Sequence, residues 1–274
     1  MTGYRNELMP TAPPTVVKLG GAVITRKHRD GEVRSKVLTR LVREVTEGPI
    51  PLVLLHGAGS FGHPAAKKFG LSLPPDPLVP PETRARGAAI VSADVRRLHL
   101  EVLTALVRAG ARPWSVPPAG LVTNQEGKLV SLDPRPFREA LDRGLLPVSF
   151  GDVVPDNSWG FSILSADRIA VELVRALSAR RVVFVSEVEG IYESMAPGRR
   201  KVVELVTPDL PRKLGRATAG ADVTGGIQGK AEAMVEISRL GAVAGLISGL
   251  KDGALSRALR GETVYGSWTH AAPG

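Results

Sequence analysis

The chain has 274 residues, a length that fits one large α/β domain or two small ones. The absence of cysteine excludes disulfides, thiolate metal sites and cysteine nucleophiles. The formal net charge is +9, but the basic residues are scattered and aromatic residues make up only 4% of the chain. We therefore expect anionic small molecules, and not nucleic acid, as the partners of this positive surface.

The ends of the chain and its hydropathy bear on location. No apolar run reaches the roughly 18 residues that a transmembrane helix needs, so we predict no membrane span and no membrane partner. The first fourteen residues lack the apolar core of a secretory signal. We expect residues 1–14 to be a disordered lead-in, residues 267–274 to be a tail, and the protein to be cytoplasmic.

Apolar runs alternate with helical patterns through the first half of the chain. Residues 71–81 contain several prolines, which disfavour a helix or a central strand, so we predict a loop there. The predicted elements are a strand at 16–19, a helix at 35–45, a strand at 52–55, a short helix at 64–69, a long helix at 83–109, an extended run at 113–116, a hairpin at 120–132, a helix at 134–142 and a strand at 146–150.

The second half continues the same alternation. Its predicted elements are a second hairpin at 151–163, a helix at 165–179, a strand at 182–185, a helix at 208–214, a glycine-rich segment at 222–229 with a helix to 240, a strand at 243–248 and a final strand at 262–266. This order predicts an α/β fold with an open, mostly parallel central sheet sandwiched by helices, and two β-hairpins beside it. Ligands of such sheets bind at the carboxyl ends of the strands.

A glycine-rich turn follows the strand at 52–55 and reads His-Gly-Ala-Gly-Ser-Phe-Gly-His from His56 to His63. Glycines between a strand and a helix leave backbone N–H groups free to bind an anion, and the start of the helix adds a partial positive charge. A tight connection that needs small residues for packing is the alternative. His63 at the end of the turn can donate to a bound phosphate, whereas we interpret His56 as structural.

A second glycine turn supplies the context. The strand at 16–19 ends in Gly20 and Gly21, with Lys18 before the pair and Lys27 after it. Two turns of this kind within the first quarter of the chain predict two phosphorylated ligands that face each other.

Several motifs together resemble those of the amino acid kinase superfamily and, within it, the isopentenyl phosphate kinases. They are Lys18-Leu-Gly-Gly21 with Lys27, the turn from His56 to His63, Gly151-Asp-Val153, Ser165-Ala-Asp-Arg-Ile169, Glu189-Gly-Ile-Tyr192 and Asp222-Val-Thr-Gly-Gly-Ile227 with Lys230. The resemblance implies one amino acid kinase domain over residues 15–266, with an acceptor-side half at 15–178 and a nucleotide-side half at 179–266. It also implies a homodimer in which the long helix and the second glycine turn make contacts.

The resemblance implies transfer of the ATP γ-phosphoryl group to isopentenyl phosphate, as a step of isoprenoid precursor synthesis in a mevalonate pathway. Lys18 and Lys27 then bracket the transferred group, Asp167 orients these lysines, and His63 donates to the acceptor phosphate. The implied ATP contacts are Lys18, Gly20, Gly21, Glu187, Gly190, Tyr192, Gly225, Gly226 and Lys230. Mg²⁺ is expected on phosphate oxygens and water, without a named protein ligand.

The same resemblance places the acceptor phosphate on the His56 to His63 turn, with the contacts Gly57, Ala58, Gly59, Gly62 and His63. A prenyl tail needs an adjacent apolar cleft, for which we name Ala88, Val91, Val153, Gly160 and Phe161. Ordinary core packing is the alternative interpretation of these residues. We hypothesise a tail of five carbons, with somewhat longer alkyl phosphates tolerated.

Some positions depart from the family pattern. Ala22 and Ala58 stand where serine and glycine are common, and Glu187 and Glu189 replace shorter aspartates near the nucleotide. Two alternative functions stay open: a kinase for another small phosphate or phosphonate such as fosfomycin, and a non-catalytic nucleotide-binding protein on the same fold. A P-loop is excluded because Ala231 follows Gly229 and Lys230.

Overall fold

The computed structural model describes residues 12–26, 31–196, 199–217 and 226–272. The strands, in chain order, are β1 (Thr15–Leu19), β2 (Leu52–His56), β3 (Pro113–Ser115), β4 (Val122–Gln125), β5 (Lys128–Leu132), β6 (Leu146–Phe150), β7 (Asp152–Asp156), β8 (Gly160–Leu164), β9 (Arg181–Ser186), β10 (Tyr192–Ala196), β11 (Arg199–Val202), β12 (Val243–Ser248) and β13 (Gly266–Trp268).

The helices are α1 (Gly21–Ile24), α2 (Ser35–Thr46), α3 (Gly59–Lys68), α4 (Pro81–Arg108), α5 (Arg135–Asp142), α6 (Ala166–Leu177), α7 (Leu210–Ala217), α8 (Gly226–Arg239) and α9 (Ala254–Leu259). α4 begins at Pro81. Proline suits the first position of a helix, because the N–H group that proline lacks would have no acceptor within the helix there. None of the helices in the described ranges is long and apolar enough to cross a membrane.

The described strands form a central sheet in the order β13-β12-β9-β1-β2-β6-β3. Its neighbours pair in parallel except β12 and β13, which are antiparallel. This confirms the predicted α/β fold with a mostly parallel sheet. β1 lies at the centre between β9 and β2, so the strands of both predicted halves share one sheet. The carboxyl ends of the parallel strands therefore lie along one edge of the sheet, and the two glycine turns, which follow β1 and β2, lie next to each other there.

Alternate residues of β1 face two separate core layers. Val16 packs into the layer that holds α6 and α8 residues such as Ile169 and Met234. Val17 packs into the layer formed with α2, α4 and α9, through residues such as Leu41 and Leu98. Buried strands covered on both faces explain the continuous apolar runs in the sequence. Lys18 follows Val17, so the alternation turns its side chain toward the α6 and α8 layer.

The two predicted hairpins join in a second sheet. β4 pairs with β5 and β7 pairs with β8, and a contact between Asn124 and Asp156 links the hairpins in the order β5-β4-β7-β8. β7 follows β6 after Gly151, so this sheet leaves the carboxyl edge of the central sheet directly.

The structure corrects some element boundaries. The helix predicted at 64–69 begins at Gly59, because the second half of the glycine turn forms the start of α3. Pro64 therefore lies inside the helix. The final strand lies at Gly266–Trp268 and not at 262–266, so the sheet extends into the segment predicted as a tail. The sequence reasoning missed α1, the β10–β11 hairpin and α9. Most of the predicted lead-in, residues 1–11, lies outside the described residues.

Candidate active site

Three charged side chains from distant parts of the chain meet at the carboxyl edge of the sheet. Lys18 Nζ lies 2.8 Å from Asp167 Oδ1, and Lys230 Nζ donates to Asp167 Oδ2 at 2.8 Å. All three side chains are less than 15% exposed: 9% for Lys18, and 13% each for Asp167 and Lys230. One carboxylate thus holds two ammonium groups side by side. We name these three residues the lysine–aspartate cluster.

Each member of the cluster is positioned by a different element. Lys18 belongs to β1, where it lies between Leu55 and Phe184 of the adjacent strands. The side chain of Ser165 accepts a hydrogen bond from the N–H of Asp167, so α6 begins there and Asp167 lies in its first turn. The N-terminal end of a helix favours a carboxylate. The first turns of α8 supply Lys230, whose ammonium group lies 5.2 Å from the centre of the Phe184 ring.

Burial and pairing act against each other in this cluster. Burial lowers the pKa of Lys18 to about 8, although the adjacent Asp167 carboxylate opposes the shift. Burial alone would raise the pKa of Asp167, but the charges of Lys18 and Lys230 outweigh it and hold that pKa well below the ordinary range. The cluster carries one net positive charge when both lysines are protonated. Such a group stabilises a phosphoryl group that accumulates negative charge.

The two glycine turns are in direct contact. A methyl group added at Gly21 would lie 2.2 Å from the nitrogen of Gly59, and one added at Gly59 would lie 2.2 Å from Thr25 Oγ1. Thr25 joins the turns, because its hydroxyl donates to Gly21 O at 2.8 Å and accepts from Ser60 N at 3.0 Å. Gly59 also has a φ of 53°, which glycine adopts without strain. The glycines here are required by close backbone approach.

A cavity of about 300 Å³ lies between the cluster and the glycine turns. Its polar lining includes Lys18, Asp167, Lys230 and His63, together with backbone of Gly20, Gly21, Gly57 and Gly226. Its apolar lining includes Ala66, Val91, Val95, Ile163 and Leu164. One cavity therefore joins cationic side chains and glycine backbone to an apolar wall.

The predicted acceptor-phosphate residues lie at this cavity. Gly57, Ala58, Gly62 and His63 line it, and Gly59 lies in the same turn against Gly21. His63 is half-buried in α3. The N–H groups of Ser60 and Phe61 at the start of α3 already donate to Thr25 Oγ1 and Ala58 O, so the parts of this turn that line the cavity are His63, Gly57, Ala58 and Gly62.

The predicted tail residues divide into three groups. Val91 lines the cavity. Ala88 and Val153 are buried behind this wall in one apolar cluster with Val91 and Phe150, and Phe161 packs against that cluster. Gly160 does not reach the cavity: it is exposed at the β7–β8 turn with a φ of 73°, and the turn conformation explains the glycine.

Glu187 and Glu189, which depart from the family pattern, both form ion pairs. Glu187 lies 2.8 Å from Arg34, and Glu189 lies 2.8 Å from Lys251. Gly190 is buried where a methyl group would lie 2.7 Å from Ser267 Oγ, so close packing requires glycine there. Tyr192 begins β10 and, like Glu187 and Gly190, is absent from the lining of the cavity within the described chain.

Two predicted residues, Lys27 and Gly225, lie outside the described residues, as does the start of the motif at Asp222. Gly226 and Lys230 of the same motif are described, and both line the cavity.

Sequence reasoning missed Asp152 as a cavity residue. Its carboxylate is buried, lies 3.1 Å from Arg96 and lines the cavity. Burial raises its pKa to about 6, although Arg96 opposes the shift. Its position after Gly151, at the carboxyl end of β6, was the available signal. Ala66, Val95 and Ile163 were missed as well, because apolar residues in regular elements carry no signal that separates a cavity wall from core, and so was Val188 in the bend after β9.

Comparison with known proteins agrees with this geometry. Residues 13–247 match the profile of the amino acid kinase family. The isopentenyl phosphate kinase of Methanothermobacter thermautotrophicus is 30% identical, over 92% of this chain and 97% of the relative. That of Thermoplasma acidophilum is 33% identical, over 81% of this chain and 86% of the relative.

Solved structures give the same result. An isopentenyl phosphate kinase structure superposes with a TM-score of 0.81 at 27% identity and covers 93% of this chain and 99% of the known one. A Thermoplasma acidophilum isopentenyl phosphate kinase product complex superposes with a TM-score of 0.75 at 27% identity and covers 94% of this chain and 100% of the known one. With a family profile over most of its length and relatives that it covers almost end to end, this chain belongs to the amino acid kinase family and, within it, to the isopentenyl phosphate kinases.

Proposed function

We propose that this protein transfers the γ-phosphoryl group of ATP to isopentenyl phosphate, giving isopentenyl diphosphate and ADP. The observation that carries the proposal is the cavity in which the lysine–aspartate cluster, the His63 turn and an apolar wall meet. A phosphorylated substrate with a hydrocarbon tail needs these three surfaces in one place.

The proposed reaction is a direct in-line displacement. An oxygen of the acceptor phosphate attacks the γ-phosphorus, the bond to the oxygen that bridges the β- and γ-phosphates breaks, and ADP leaves with that electron pair. Lys18 and Lys230 stabilise the charge on the transferred oxygens, and Asp167 keeps the two ammonium groups in place. The protein supplies positioning and positive charge, and it forms no covalent bond to the substrate.

Each phosphate has its own proposed binding surface. The ATP phosphates lie against Gly20, Gly21, Gly226 and Lys230, and the acceptor phosphate lies against the α3 end of the cavity with His63 as a donor. Lys27 stays a predicted catalytic residue beside the transferred phosphoryl group, and Gly225 stays a predicted ATP contact. Residues 15–178 then form the acceptor side and 179–266 the nucleotide side, although Lys18, Gly20 and Gly21 reach across from the first half.

Mg²⁺ is proposed to accompany ATP, bound by phosphate oxygens and water, where it neutralises charge between the phosphates. The donor set fits this arrangement. Both oxygens of Asp167 face lysines, and the described residues contain no cluster of three or more His, Asp or Glu side chains that could hold a metal. The protein residues near the phosphates are therefore cationic partners, and the phosphates are the oxygen ligands.

A homodimer is also proposed. Leu100 and Val107 lie seven residues apart on one face of α4 and are 64% and 61% exposed, and Trp114 on the edge strand β3 is 55% exposed. An exposed edge strand beside apolar side chains favours association with a second copy. Light scattering on the wild type and on Leu100→Glu tests this: the wild type has twice the chain mass and the variant shifts toward one chain. A wild-type mass of one chain would contradict the proposal.

The substrate assignment is tested by ADP release from Mg-ATP with a panel of acceptors. We expect the highest kcat/KM for isopentenyl phosphate, with dimethylallyl phosphate next and geranyl phosphate lower. Glycerol phosphate serves as the hydrophilic control, and fosfomycin and N-acetylglutamate test the other substrate classes of the superfamily. Equal turnover of glycerol phosphate and isopentenyl phosphate would overturn the assignment, and preferred turnover of fosfomycin would replace it.

A further inference from the structure

A chain of buried polar side chains lies behind the acceptor turn and is separate from the lysine–aspartate cluster. His56 Nε2 lies 3.0 Å from His99 Nδ1, and His99 Nε2 lies 2.8 Å from Ser115 Oγ. His56 is fully buried and His99 is 5% exposed. His56 stacks on the Phe150 ring with the centroids 5.4 Å apart, and His99 contacts the same ring at a tilt with the centroids 4.4 Å apart. We name His56, His99 and Ser115 the histidine chain; its residues come from β2, α4 and β3.

The hydrogen bonds of the chain fix where its protons lie. His56 Nδ1 lies 3.2 Å from the carbonyl oxygen of Gly57, which can only accept a hydrogen bond, so Nδ1 of His56 carries the proton. Nε2 of the neutral ring is then an acceptor and takes the Nδ1–H of His99. Nε2 of His99 in turn accepts from the hydroxyl of Ser115. The hydrogen bond to the Gly57 carbonyl therefore fixes the tautomer of His56, and the tautomer of His56 fixes that of His99.

The Gly57 carbonyl, at one end of the histidine chain, belongs to the peptide that joins Gly57 to Ala58. In a trans peptide the C=O and N–H point in opposite directions. When His56 holds the Gly57 oxygen on the buried side, the Ala58 N–H points to the other side, where Gly57 and Ala58 line the cavity. The Gly57 N–H is also fixed, since it donates to Leu19 O at 2.9 Å. The orientation of the Gly57–Ala58 peptide then depends on the hydrogen bond between His56 and the Gly57 carbonyl.

We propose that His56, held by His99 and Ser115, is a positioning residue that fixes the Gly57–Ala58 peptide with its N–H directed at the bound acceptor phosphate. The identity of the anion as the acceptor phosphate rests on the proposed function. The hydrogen-bond chain and the direction of the peptide rest on the contacts above.

The charge state of the rings supports this role. Burial lowers the pKa of His56 to about 3, with a further contribution from His99, and burial together with Arg96 lowers the pKa of His99 to about 4. Both rings are therefore neutral near pH 7. A neutral ring can orient a carbonyl without adding a buried charge beside Lys18.

The test compares His56→Leu with His56→Asn in the full chain. The two replacements have similar size and both lose the ring stacking, but only asparagine keeps a donor near the position of Nδ1. Binding of inorganic phosphate is measured by calorimetry with a non-hydrolysable ATP analogue saturating the nucleotide site. We expect His56→Leu to weaken phosphate binding about tenfold and His56→Asn to stay within about threefold of the wild type, because one charge-assisted hydrogen bond is lost only in the first. Affinity for the nucleotide analogue should change less than about twofold in both.

A second variant guards against failure of these proteins to fold. Ser115→Ala removes the hydroxyl at the far end of the histidine chain, and we expect phosphate binding to weaken about two- to threefold. Ser131→Ala, at an exposed residue, is the control and should leave phosphate binding unchanged. Nitrogen NMR of the wild-type histidines is expected to show His56 protonated on Nδ1. An Nε2–H tautomer, equal phosphate affinity of the Leu and Asn variants, or equal losses for nucleotide and phosphate would each overturn the proposal. If isopentenyl phosphate is not a substrate but the Leu–Asn difference persists, the proposed function fails and the positioning role stands.

Discussion

The lysine–aspartate cluster and the histidine chain are both buried at the carboxyl edge of the sheet, where Lys18 of β1 and His56 of β2 lie on neighbouring strands, but one group is charged and the other is neutral. The cluster concentrates three formal charges and lines the cavity. The histidine chain is neutral and acts through bond direction. Buried charge is costly unless it is paired, so it occurs where phosphate charge arrives to meet it. Where the protein must only orient a peptide, neutral groups suffice. Substitutions in either group test this division.

Replacing Lys18 should separate the two groups most clearly. Lys18→Ala removes a cation beside the transferred oxygens, and we expect kcat to fall about 10²- to 10³-fold, the range for loss of one electrostatic stabiliser. Steady-state kinetics with isopentenyl phosphate measure this, with the exposed Lys36→Ala as the matched control. A fall of less than about fivefold would place the stabilising charge elsewhere.

His63→Ala tests the donor on the acceptor side. We expect KM for the acceptor to rise about 10- to 100-fold and KM for ATP to change less than about twofold, because a hydrogen bond to a charged phosphate is lost on one side only. The exposed His270→Ala serves as control. Equal increases in both KM values would show that His63 acts through general packing of the turn.

The pH profile of kcat/KM reports the cluster directly. The pKa of Lys18 is about 8, so the stabilising ammonium is present below that pH and is lost above it. We expect kcat/KM to fall up to about tenfold per pH unit above pH 8, and kcat to fall at higher pH because bound phosphates favour the charged lysine. In Lys18→Arg the limb due to this residue should disappear. An unchanged basic limb in that variant would assign it to another group.

Glu44 offers a buried carboxylate far from both groups. Its Oε1 accepts from Arg40 at 2.6 Å and its Oε2 accepts from the N–H of Ser256 at 3.0 Å, so it caps the start of α9 from outside that helix. Glu44→Ala should lower the free energy of unfolding by about 1–3 kcal/mol and leave kcat/KM within about twofold. Urea denaturation measures the first, with the exposed Glu47→Ala as control. A large loss of activity in the folded variant would contradict a purely structural role.

The sequence was most informative where short-range rules apply. Strand and helix periodicity located β1, β2, α2, α4 and α6. The start of α3 was predicted five residues late, because glycines favour turns locally and contacts with Gly21 and Thr25 override that preference here. α1 has four residues and α9 six, too short for a periodic signal.

The candidate site was predictable as a set of residue types but not as a geometry. Lys18, Asp167 and Lys230 were each named, yet the sequence assigned Lys27 and not Lys230 to Asp167, and the structure shows Lys230 on that carboxylate. The connection depends on how α8 packs beside α6, which no local pattern encodes. Gly160 lies at an exposed turn and outside the lining of the cavity in the described residues, and a turn glycine and a cavity glycine have the same sequence signal.

The direct contact of the two glycine turns has a consequence for how this enzyme can be re-engineered. Thr25 ties the backbone of one turn to the other, and neither Gly21 nor Gly59 has space for a methyl group. In the proposed arrangement, the distance between the donor and acceptor phosphates is therefore set by main-chain atoms and not by the tail of the substrate. Ala66, Val91, Val95 and Ile163 form the apolar wall of the same cavity, where a change of side-chain size leaves the backbone contact between Gly21 and Gly59 in place. Under that proposal, the acceptor range can be redesigned at these side chains apart from the geometry of phosphoryl transfer.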